Sequence, residues 1–150
     1  MQRSRRDVLA LGAGSAALAI VARASPARAT TQEAADLIAK FTGGKAAGPG
    51  KIAIDLPEIA ENGNTVPLSI VVDSPMTADD HVTDIFVIAE ANPRPAVATF
   101  HFTPLSGRAE AATRIRLAAT QDVVVLAKTS TGRIMSQHAT VKVTVGGCGG

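Results

Sequence analysis

The chain holds one thiol, Cys148, third from the end between two glycine pairs, Gly146-Gly147 and Gly149-Gly150. A structural cysteine packs as a small buried hydrophobe; this one, flanked by four residues without side chains, is built to be reached. A thiol at its ordinary pKa of about 8.5 is only a few per cent thiolate at neutral pH, and the tail supplies no cation to lower that value. Any activation of the Cys148 thiol must therefore come from a partner, and the residues alone leave a reactive carrier thiol and an interchain disulfide level. Gly146 to Cys148 can extend at about 3.3 to 3.6 Å per residue, a reach on the order of 10 Å beyond the last strand. Freedom at positive φ would let such an arm follow a partner's channel.

Other reactive groups are sparse. The histidines are His81, His101 and His138. Asp79-Asp80-His81 is the densest set of metal-ligating types, but it follows a Ser-Pro turn without a second nearby histidine. It reads as a solvated loop or strand entrance. His101 stands between Phe100 and Phe102 in a strand-like run and should point away from both. Thr42-Gly43-Gly44-Lys45 lacks the upstream glycine and following hydroxyl of a phosphate-binding loop, and no Gly-x-Ser-x-Gly elbow occurs. No catalytic residue, metal site or bound cofactor is expected.

The front of the chain sets the compartment. Arg3, Ser4, Arg5 and Arg6 precede the uncharged run Val8 to Val21, and Ala27-Arg28-Ala29 has the small-x-small pattern of a signal-peptidase site, giving cleavage after Ala29. The run is too short to span a bilayer as a stable helix, so no membrane anchor is expected. The Arg5-Arg6 pair and the weakly apolar core match a twin-arginine signal, with Val8 where phenylalanine is usual; the alternative is an ordinary secretory signal with a chance arginine pair. Periplasmic localisation by export in the folded state follows from the first reading. Five of the 15 Lys and Arg and one of the 13 acids lie in residues 1–29, which leaves ten bases, twelve acids and a net −2 in the mature chain. No basic run remains to bind nucleic acid.

Residues 30–145 suit one domain. Thr30 with Glu33 has capping-box spacing, Leu37, Ile38 and Phe41 form a stripe, and Gly43-Gly44 stops the helix. Strand-like runs follow at 52–56, 66–72, 85–89, 97–102, 109–117, 123–127 and 139–145, separated by turn signals such as Glu61-Asn62-Gly63-Asn64, Asn92-Pro93 and Thr131-Gly132. Alternation in 113–117 places Arg114 and Arg116 on one face. The pattern predicts a mostly β chain: a single immunoglobulin-like antiparallel β-sandwich with a short N-terminal helix and a flexible arm at 146–150.

The segments ENGNTVPLSI, VDSPMTADDHV, FHFTPLSGRAEAATRIRLAATQ and the terminal GGCGG resemble SoxY, the sulfur-carrier family of the bacterial thiosulfate-oxidising (Sox) system. The resemblance implies that Cys148 carries intermediates covalently, as an S-thiosulfonate and a persulfide, and that the chain is a non-catalytic subunit paired with a SoxZ-like sandwich protein. It implies three further partners: a c-type cytochrome enzyme of SoxXA type, a SoxB-like di-manganese hydrolase and, where present, a sulfur dehydrogenase. A rival reading is an exported structural module whose Cys148 forms an interchain disulfide. A ubiquitin-like carrier using Gly149-Gly150 would need a helix-crossed β-grasp sheet, which the strand pattern does not supply, and prenylation requires the cysteine fourth from the end.

Overall fold

The computed structural model describes residues 27–147. Arg5, Arg6, Cys148, Gly149 and Gly150 lie outside these residues.

Helix α1 (Ala27–Thr42) is followed by β1 (Ile52–Asp55), β2 (Ile59–Asn62), β3 (Val66–Val72), β4 (Val82–Ala89), β5 (Ala96–His101), a 3₁₀ turn (Pro104–Ser106), β6 (Ala109–Ile115), β7 (Gln121–Thr129) and β8 (Ile134–Val145). Two sheets face each other, one ordered β1-β3-β6 and the other β2-β8-β7-β4-β5. The expected sandwich is present, with one departure: β2 pairs with the end of β8 in parallel, Ile59 opposite Lys142 and Asn62 opposite Val145. β2 is short, and Ala60 is its one buried residue, so its sequence carries almost no strand signal. Backbone pairing with β8 fixes it.

The inner faces explain the alternation. Val66, Leu68, Ile70 and Val72 of β3 meet Ile85 and Val87 of β4 and Val123 and Val125 of β7 in one apolar cluster. Each fully buried aliphatic side chain contributes about 1.5 to 3 kcal/mol. Pro67 is tolerated in the middle strand of its sheet because β1 ends opposite Ser69, leaving that flank of β3 open. Arg114 and Arg116 are exposed, as their alternation predicts.

β4 breaks the alternation, being buried from Ile85 to Ala89. Its outer face is roofed by α1: Ala34, Leu37, Ile38 and Phe41 pack on Phe86, Ile88 and Leu126, with the Phe41 and Phe86 rings 5.4 Å apart. Gly43 and Gly44, at φ 62° and 75°, end the helix, and Gly44 N–H donates to Ala39 O at 3.1 Å. At its other end α1 begins at Ala27. Thr30 therefore lies inside the helix and does not cap it, because the alanine-rich run before it continues the helical backbone. Ala29, the expected cleavage position, falls in the first turn. No described helix is long and apolar enough to cross a membrane.

Candidate functional site: the root of the C-terminal arm

β8 outlasts its neighbour. Its pairing with β7 ends at Val141 opposite Gln121, and from there β2 flanks it while the loop joining β6 to β7 takes over on the other side. Val143 N–H donates to Thr120 Oγ1 at 2.9 Å, and Thr144 Oγ1 donates to Glu61 O at 2.8 Å.

Three backbone segments meet where β8 stops. Gly63 N–H donates to Val145 O at 2.7 Å, Leu117 N–H donates to Gly63 O at 2.8 Å, and Gly147 N–H donates to Leu117 O at 2.9 Å. The approach is too close for side chains. A Cβ on Gly63 would lie inside contact distance of Leu117 O and 2.8 Å from Gly147 N; one on Gly146 would meet Ala118 O, and one on Gly147 would meet the Gly63 carbonyl and, at 2.5 Å, Asn64 N. None of these three glycines has positive φ. Gly146 and Gly147 are thus not the first links of a freely extending arm, as their composition suggests. They are glycine because three backbones touch there.

Behind this junction the β6–β7 loop is gripped by two side-chain amides, Asn92 and Gln121, each only 6% exposed. Asn92 Nδ2 donates to Arg116 O at 2.8 Å, and its Oδ1 accepts from Ala118 N–H at 2.9 Å and from Gln121 Nε2 at 2.9 Å. Gln121 Nε2 also reaches Ala119 O at 3.1 Å, and its Oε1 accepts from Ala91 N–H at 2.8 Å. Sequence reasoning missed both residues. Asn92-Pro93 signals only a turn, and the partners of Asn92 lie 24 to 29 positions away.

The histidines are elsewhere. His81 occupies the entrance to β4, its Nδ1 2.9 Å from Thr77 O and its N–H donating to Ser130 Oγ at 3.2 Å. His101 faces outward, opposite to the half-buried Phe100 and Phe102, and its Nδ1 lies 2.6 Å from Asp84 Oδ1, its cross-strand partner. His138 is exposed on β8. Among the described residues no three His, Cys, Asp or Glu side chains are grouped so as to hold a metal.

The family model described as sulfur oxidation protein SoxY matches residues 38–148. The solved structure of the sulfur carrier protein SoxY from Chlorobium limicola f thiosulfatophilum is 32% identical with a TM-score of 0.64, covering 76% of this chain and 98% of that one. A superoxide reductase (neelaredoxin) from Ignicoccus hospitalis, 14% identical, covers 69% of this chain and 91% of its own at a TM-score of 0.56, a likeness of fold alone. No curated protein matches the chain. A sandwich that ends in a backbone-clamped glycine root, matched by the family model from α1 through the terminal cysteine and by a solved carrier over nearly that carrier's whole length, belongs to the SoxY family, the sulfur carriers of sulfur oxidation.

Proposed function

We propose that Cys148 is the point of covalent attachment and that the chain carries the intermediates of thiosulfate oxidation to sulfate in the periplasm. The observation that supports this most directly is that the family match runs through residue 148, the residue after the clamped Gly147. The thiol is the chain's sole cysteine, so no second thiol competes for the adduct or closes a disulfide within the chain.

The cycle balances without a catalytic group on this chain. Loading joins the Cys148 thiol to the outer sulfur of thiosulfate, forming an S–S bond and releasing one proton and two electrons to a c-type cytochrome enzyme of SoxXA type. A SoxB-like di-manganese hydrolase adds water to the terminal sulfonate, breaks the S–S bond to it and releases sulfate and two protons, leaving a persulfide anion. A sulfur dehydrogenase, where present, oxidises the outer sulfur by six electrons with oxygen from three waters, and a second hydrolysis restores the thiolate. Each intermediate stays attached, so the nucleophilic persulfide is not lost between enzymes. A SoxZ-like sandwich subunit completes the carrier, and the twin-arginine signal at Arg5-Arg6 exports it folded.

The test is thiosulfate-dependent electron release in a reconstituted system with the Cys148→Ser variant. Turnover should fall to background while the melting temperature stays at the wild-type value. Normal turnover in the variant would refute the assignment.

A further inference from the structure

The buried amides behind the arm root do more than close a turn. The loop residues that Asn92 and Gln121 hold are Arg116, Ala118 and Ala119. Those that hold the arm are Leu117, which accepts from Gly147 N–H, and Ala118, whose carbonyl lies against Gly146. One short stretch of backbone is thus gripped on one side by two desolvated side chains and grips the arm on the other. Burying two amides is costly unless their hydrogen bonds are made. Here five are made: three to the loop, one to Ala91 N–H and one between the two amides.

We propose that Asn92 and Gln121 are positioning residues for the carrier sulfur, an inference that rests on the carrier reading of Cys148. By fixing residues 116–119 they hold Gly146 and Gly147 on the body, so the point from which the chain runs on to Cys148 is set by the sandwich. The reach shrinks accordingly. Of a span on the order of 10 Å for three extended residues, one Cα–Cα step of about 3.8 Å remains before the cysteine. A partner enzyme then meets an attachment point fixed at Gly147, against Leu117, and less conformational freedom is lost when it docks.

The test uses the lone cysteine as a probe. A nitroxide attached to Cys148 of the full exported chain is read by electron paramagnetic resonance in the wild type, Asn92→Ala, Gln121→Ala and Val87→Ala, the last a core cavity in the middle of β4. The wild-type label should be restricted, the two amide variants should tumble severalfold faster, and Val87→Ala should lose thermal stability without altering the spectrum. A wild-type label as mobile as in the urea-unfolded chain would overturn the proposal, as would amide variants that lose stability with no spectral change. Should an amide variant fail to fold, hydrogen exchange at Gly147 N–H in the wild type decides: protection supports the clamp, and exchange at the rate of an unstructured peptide rejects it. Both readouts report backbone order and not sulfur loading, so their failure leaves the chemistry of Cys148 standing, and failure of the Cys148→Ser test leaves the clamp standing.

Discussion

The two ends of the five-stranded sheet are closed by different means. At the end where β8 finishes, Gly63, Leu117 and Gly147 bond backbone to backbone with no room for a Cβ on either glycine, and buried amides back the junction. At the end where β4 begins, hydroxyls join backbone bonds such as Ser130 N–H to His81 O at 2.8 Å: Ser130 Oγ accepts from His81 N–H at 3.2 Å and donates to Asp79 O at 3.3 Å, and Thr77 Oγ1 accepts from Asp80 N–H at 3.1 Å. The hydroxyl bonds are exposed and replaceable by water. The contrast lies in the close backbone approach and the buried amides, which come together at the root of the arm.

The largest loss is expected at Asn92. Asn92→Ala would orphan Ala118 N–H, Arg116 O and one bond of Gln121, and should cost about 3 kcal/mol in urea unfolding. A cost near that of a surface substitution would mean the arm end is no better fixed than the other. The glycines sharpen the contrast next. Gly63→Ala should cost about 2 kcal/mol by forcing three backbones apart, with Asn no better than Ala. Gly132→Ala, at φ 79° in the distal turn, should cost about 1 kcal/mol, with Asn restoring most of the loss because it tolerates that conformation. Equal rescue by Asn at both sites would erase the distinction between close approach and backbone twist. The smallest effect belongs to Ser130→Ala, about 0.5 to 1 kcal/mol, since water can replace an exposed hydroxyl.

Much of this fold is legible in the sequence, because strands that bury one face write period two into the chain: 66–72 coincides with β3, and the turn at Asn92-Pro93 is real. β2 was hidden because its fixation lies in hydrogen bonds from β8, such as Lys142 N–H to Glu58 O at 2.9 Å, and not in its side chains. The strand run at 139–145 is five residues short of the true start of β8 at Ile134, where Gly132 and Arg133 mask the entry. The tail is the most instructive case. Gly146 and Gly147 look like flexible spacer by composition, yet what selects glycine there is a carbonyl from residue 118 and a turn at residue 63. Contacts between such distant positions leave no local pattern.

The central claim is that Cys148 carries sulfur, and the most direct measurement is the intact mass of the protein recovered from thiosulfate-grown cells, before and after mild reduction, beside the Cys148→Ser variant. Reduction-labile additions matching sulfur or a thiosulfonate are expected on the wild type and none on the variant. Unmodified thiol together with disulfide-linked homodimer, and no sulfur adduct, would contradict the claim.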